Sequence, residues 1–166
     1  MTNAQSLRVI GQSLQAARVT TFELEKKGSE YLVRTNFLSP SAEWILRQAI
    51  SESDFTKQSG QQPMGNRPLR FTPPALSRLD SLGQQERRKS SSSQTPESNK
   101  LSQLLRSLGD HLDRTEVSVF HILWDSDSVS VDFRLSDGHN DSRTFTTEKL
   151  QQLGSHSRFL RSNRFR

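Results

Sequence analysis

Leu7, Ile10, Leu14 and Ala17 fall at i, i+3, i+7 and i+10, which places them on one face of an amphipathic helix. From Val19 to Lys26 the period changes to two. Phe22 and Leu24 alternate with Glu23 and Glu25, the pattern of a half-buried strand. Lys27-Gly28-Ser29 supplies a turn, and Tyr31 to Thr35 alternates again with Tyr31 and Val33 inward, so the two runs predict an antiparallel hairpin. Ser39-Pro40-Ser41 then caps a second helix over Ala42 to Ile50, in which Trp44 reads as a core anchor.

The same order recurs after a spacer. Leu101, Leu104, Leu105, Leu108 and Leu112 make the clearest helical stripe in the chain. A strand follows from Val117 to Trp124. Both of its faces are largely apolar, Val117, Val119, His121 and Leu123 against Phe120, Ile122 and Trp124, as in a central strand covered on both sides or one lying in an interface. Val129, Val131, Phe133 and Leu135 alternate with polar residues, Asp137-Gly138 turns the chain, and Arg143 to Thr146 makes a short third strand before a helix that starts at Thr147. At an offset of 98 residues Leu7, Arg8, Gly11, Leu14, Val19, Phe22 and Val33 match Leu105, Arg106, Gly109, Leu112, Val117, Phe120 and Val131. Glycine inside a helix costs about 1 kcal/mol relative to alanine, so Gly11 and Gly109 predict a close approach of each helix to the sheet beneath it.

The middle is different in kind. Residues 51–100 contain eight apolar residues, too few for a core, and the stretch from Ser51 to Leu69 is rich in Ser, Gln, Gly and Pro. It reads as a flexible linker. Thr72 as N-cap and Pro73 at the first helical position predict one short helix over 73–88, ended by Arg87-Arg88-Lys89 and a serine run. The expected organisation is a first α-β-β-α unit at 1–50, a basic linker with its helix at 51–99, and a second α-β-β-β-α unit with an arginine-rich tail at 100–166. The fold class is α+β, with two αββ(β) units packing helices on an antiparallel sheet, joined by a partly disordered linker.

Charge sharpens this division. The net charge of +5 breaks down as 0 over residues 1–56, +5 over 57–100, −4 over 101–153 and +4 over 154–166. An anionic partner would therefore meet the linker and tail rather than the sheet, through Arg87, Arg88, Lys89, Arg158, Arg161, Arg164 and Arg166. The absence of cysteine excludes disulfides and thiolate metal sites. No signal-peptide pattern opens the sequence and no apolar run reaches the ~20 residues of a membrane span, so a cytoplasmic protein without membrane contact is expected.

The sequence assigns no catalytic, cofactor-binding or metal-ligating residue. His111, His121, His139 and His156 show no metal-binding spacing, and there is no phosphate-binding loop or nucleophile elbow. His121, on an apolar strand face, reads as a core or interface histidine. The turn at Asp137-Gly138-His139-Asn140-Asp141 lacks the spacing and the distal glutamate of a calcium loop.

Two partial resemblances involve nucleic acid. Gly65 to Leu79, with Arg70-Phe71-Thr72 ahead of Leu76 and Leu79, resembles the wing-to-helix junction of MerR-type regulators over about fifteen residues. No helix-turn-helix precedes it. The αβββα order of 101–166 resembles that of a double-stranded-RNA-binding domain, although its last helix lacks the lysine cluster that would grip phosphate. The expected function is a non-catalytic interaction or adaptor protein. It would hold a protein partner, or a second copy of itself, through Leu76, Leu79, Leu82 and Trp124. The alternative is weak contact with nucleic acid through the basic segments.

Overall fold

The computed structural model describes residues 1–35, 40–50, 68–89, 100–117, 119–125, 128–135 and 138–152; the side chains of 40, 44, 45, 48, 49, 83 and 85–89 are not described. The elements run α1 (Asn3–Ala16), β1 (Phe22–Lys27), β2 (Glu30–Thr35), α2 (Pro40–Ile50), β3 (Leu69–Phe71), α3 (Pro73–Lys89), α4 (Lys100–Arg114), β4 (Val119–Trp124), β5 (Ser128–Arg134) and β6 (Asn140–Thr146), with a further helical turn at 147–152. The fold is α+β: six strands form one antiparallel sheet in the order β3-β2-β1-β4-β5-β6.

The sheet is continuous because the two hairpins meet at its centre. β1 pairs with β4, and Leu24 stands opposite Ile122, two residues related by the 98-residue offset. Alternation then sorts the side chains. Phe22, Leu24, Tyr31, Val33, Phe120, Ile122, Trp124, Val129, Val131 and Phe133 all point to the covered face and are buried. Phe22 stacks on Trp124 with ring centroids 5.7 Å apart. Among the described residues the helices cover this face only.

α1 and α4 end in the same way. Arg18 and Glu116, again at the offset, adopt φ of 57° and 54°. The amides of Val19 and Val117 then reach back to the carbonyls of Leu14 and Leu112, at 3.0 and 3.1 Å. This left-handed stop satisfies the last turn and aims each chain into its strand. A non-glycine residue held there costs about 1 kcal/mol, which the buried valines that follow offset.

The helix glycines serve a contact other than the expected one. A Cβ on Gly11 would lie 2.8 Å from the Ser102 Cα, and one on Gly109 would lie 2.5 Å from the Ala4 Cα. The close approach is therefore between α1 and α4, backbone against backbone, and not between helix and sheet. The ends of the two helices are also joined by polar groups. Thr2 and Gln5 form a reciprocal cap on α1. The Asp113 carboxylate at the end of α4 accepts from the Asn3 and Ala4 amides at 3.0 Å each. α1 has no acidic residue in its own first turn, so α4 supplies the negative charge that a helix N-terminus favours. Asn3, itself buried, accepts from Lys26 Nζ at 2.8 Å and from the Tyr31 hydroxyl at 3.0 Å.

The helix expected over 73–88 is present as α3, and a strand that the sequence did not predict precedes it. β3 is the sixth strand, pairing Tyr31 with Phe71 and Val33 with Leu69. Leu69, Phe71, Ala75 and Leu76 are all buried. Local composition is poor there, but the few apolar residues present are spent on the core. Arg8 pairs with Asp80, and Arg78 donates to the Ile50 carbonyl at 2.8 Å, tying α3 to α1 and to the end of α2. Each edge strand runs on into a helix through a threonine, Thr72 just after β3 and Thr146 as the last residue of β6. In each case a leucine buried in the core, Leu76 or Leu150, follows four residues later. The remaining stretch assigned to the linker, at 51–67 and 90–99, lies outside the described residues.

Candidate functional site

The sheet face turned away from the helices carries the residues that the core leaves free. Along β1 these are Glu23, Glu25 and Lys27, and on β2 Glu30, Leu32 and Arg34. β4 contributes Val119, His121 and Leu123, and β5 Ser130, Asp132 and Arg134. Most of its charges are matched on the face itself: Arg34 to Glu23 at 3.1 Å, Lys27 to Glu25 at 3.1 Å and Arg70 to Glu30 at 3.5 Å. Exposed pairs of this kind contribute little stability, about 0–1 kcal/mol each, but they leave no concentrated positive field to attract phosphate.

His121 is the centre of this face. Its Nε2 lies 2.8 Å from Glu23 Oε1, and its Nδ1 lies 3.7 Å from Asp132 Oδ2. Of the two readings expected for His121, core or interface, the core one does not hold: the ring lies partly exposed between two carboxylates, on the face opposite Phe120 and Ile122. The bond from His121, assisted by Arg34, holds the Glu23 carboxyl below its ordinary range, against a smaller upward push from burial. Sequence reading missed this cluster, since Glu23 and His121 are 98 residues apart and only the β1–β4 register brings them together. Among the described residues no group of three or more histidines and acids is arranged to hold a metal ion.

A shallow open depression of about 400 Å³ lies across one end of this face, lined by Glu25, Val119, His121, Asp132, Arg134 and Ser142. Val119 and Leu123 flank His121 on the central strand and are 48% and 46% exposed. They are apolar residues in the middle of a sheet with nothing over them among the described residues.

A second histidine sits on the covered side. His111 of α4 meets Phe145 of β6 edge-on at 5.8 Å, and its buried Nε2 has no hydrogen-bond partner. Burial lowers its pKa from 6.5, helped by Arg143 and Arg114. The unfolded chain therefore takes up this proton first, and stability should fall as pH drops through 6.5. Glu23 acts lower down: its stabilisation is present above 4.5 and disappears as pH falls below that. Thermal melting between pH 8 and 3 should show both losses. His111→Phe should flatten the first and Glu23→Gln the second, the latter worth less than about 1 kcal/mol because the pair is partly exposed. An unchanged profile in both variants would place the titration elsewhere.

The residues expected to grip a protein partner separate into two groups. Leu76 and Trp124 are buried, at 1% and 8% exposure, and Leu79 packs partly buried against the core. All three pack on the core: α3 turns its Leu76–Leu79 face inward, and Trp124 stacks on Phe22 on the covered face of the sheet. Leu82, 50% exposed, is the one of the four presented to solvent. The residues expected to meet nucleic acid fall outside this description: Arg87, Arg88 and Lys89 belong to α3 but their side chains are not described, and Arg158, Arg161, Arg164 and Arg166 lie outside the described residues. Trp44 lies in α2, its side chain also undescribed. No helix among the described residues is long and apolar enough to cross a membrane. Comparison with protein-family models, with curated proteins and with solved structures finds no match.

Proposed function

We propose that this chain is a non-catalytic interaction protein that holds a protein partner against the open face of its sheet. The observation that carries the reading is the exposure of Val119 and Leu123 on β4. A central strand that is apolar on both faces suits either a second covering layer or an interface, and the described residues supply no second layer. A partner would bury these two side chains, with Leu32 two strands away beyond Glu25, while the mutually paired charges around them form a polar rim. His121, between Glu23 and Asp132, would lie at the centre of the contact.

The alternative is a nucleic-acid-associated protein that contacts phosphates through Arg87, Arg88, Lys89 and the tail arginines. It is supported by the charge of those segments alone.

One experiment separates the two. The tagged chain is used to capture partners from a native extract, with and without nuclease, beside two variants. Leu123→Glu places a charge on the open face at an exposed position, where a surface substitution usually changes stability by less than about 0.5 kcal/mol. A second variant replaces Arg87, Arg88, Arg158, Arg161, Arg164 and Arg166 with serine, which takes the net charge from +5 to −1. The interaction reading expects a nuclease-resistant partner, lost with Leu123→Glu and kept by the arginine variant. Nuclease-sensitive capture, lost with the arginines and with a salt slope that flattens by about 0.9 per phosphate contact, would overturn it.

A further inference from the structure

The two edges of the sheet are unlike. β3 offers three residues, with Pro68 before it and Pro73-Pro74 closely after it. β6 runs seven residues, Asn140–Thr146, without proline or glycine, and pairs with β5 along its whole length. Such an edge is a template for another strand unless something guards it.

The phase of the β5–β6 ladder decides which backbone groups are left over. The Leu135 amide donates to the His139 carbonyl at 2.8 Å, so that pair is hydrogen-bonded. Alternation then turns the amides and carbonyls of Asp141, Arg143 and Phe145 toward β5, and those of Asn140, Ser142 and Thr144 outward. The Ser142 amide fits this phase, since it donates not to β5 but to the carboxylate of Asp141, at 2.9 Å.

We infer that β6 pairs with β6 of a second copy of this chain, antiparallel about a two-fold axis at Ser142, so that two six-stranded sheets become one. Charge selects the register. Centring the axis on Asp141 or on Arg143 sets like charges opposite each other, which is destabilising. Centring it on Thr144 leaves both charges without an opposite partner. Centring it on Ser142 sets Asp141 opposite Arg143 of the second copy, and the reverse. Both are non-hydrogen-bonded pairs, in which side chains stand closest. Asp141 already binds Arg143 of its own chain, Oδ2 to Nε at 3.0 Å, and the Arg143 guanidinium rests over the Phe133 ring at 5.5 Å. Association thus closes these four groups into one cluster and frees the Ser142 amide for the ladder. This surface is separate from the open face, because edge-on pairing leaves Leu123 uncovered.

The test uses the full chain in sedimentation-velocity runs across a concentration series. Wild type should move from the 18.9 kDa of one chain toward twice that mass as concentration rises. Asp141→Arg and Arg143→Asp should each stay monomeric, since each puts like charges across the axis. An equimolar mixture of the two should dimerise again, because every cross-axis pair is then opposite in sign. Ser142→Pro, which removes an outward amide and leaves the β5 ladder intact, should also be monomeric. If a charge variant fails to fold by circular dichroism, amide exchange of wild type decides: Asn140, Ser142 and Thr144 should gain protection with concentration. A monomeric wild type at millimolar concentration, dimerisation that persists in either single charge variant, or a folded mixture that does not recover the dimer would overturn the inference.

Discussion

Replacing Gly109 by valine should lower stability by about 2–3 kcal/mol. A Cβ there would stand 2.5 Å from the Ala4 Cα and 2.7 Å from its amide nitrogen, and backbone cannot move aside as a side chain can. α1 would have to lift from α4, and with it the two bonds from the Asn3 and Ala4 amides to Asp113. Inserting volume into a packed interior costs about 1–3 kcal/mol, and a β-branched residue adds no helix propensity to compensate fully. Gly28 is the control. Its φ of 59° makes it a turn glycine with open space around it, so Gly28→Asn should be nearly neutral. Urea denaturation of the three proteins measures the difference. A Gly109→Val protein as stable as wild type would show that the helix–helix approach can relax.

Phe120→Ala should cost more, about 3–5 kcal/mol. The ring is 1% exposed on a central strand, faces Tyr31 at 6.2 Å and lies under the Lys26 ammonium at 5.7 Å. Its removal opens a cavity beneath a charge that burial already disfavours, as the lowered pKa of Lys26 records. The substitution should therefore couple to Lys26. Lys26→Met in the Phe120→Ala background should cost less than in wild type, because the cation has lost one of its two rings. A double-mutant cycle by denaturation checks this, and strict additivity would mean that the ammonium draws nothing from Phe120.

These two positions show where sequence alone was informative and where it stopped. Period 3.6 at Leu7, Ile10 and Leu14 and at Leu104, Leu105 and Leu108 was enough for the two helices. Period two through Phe22 and Leu24 was enough for the first strand and the face it would bury, whereas the strand of Phe120 and Ile122, apolar on both faces, had its buried side decided only by the packing. Local periodicity encodes the face of an element because a helix or strand repeats its side-chain direction every few residues. Mid-helix glycines at Gly11 and Gly109 signalled a close contact, yet not its partner, since the chain within one helix holds no record of what lies across from it. The same limit hid the Glu23–His121 bond and the capping of Asn3 by Asp113, 110 residues away. Leu69-Arg70-Phe71 looked like linker because three residues carry no period. It became a strand because the β2 edge offered backbone partners to Leu69 and Phe71, and a core for their side chains. His121, an apolar-strand residue by sequence, became a polar hub on the solvent face once the β1–β4 register set it beside Glu23. Faces and caps follow from neighbours along the chain, whereas register, edges and cross-sheet charge pairs follow from contacts between segments far apart in sequence, which only the folded arrangement can decide.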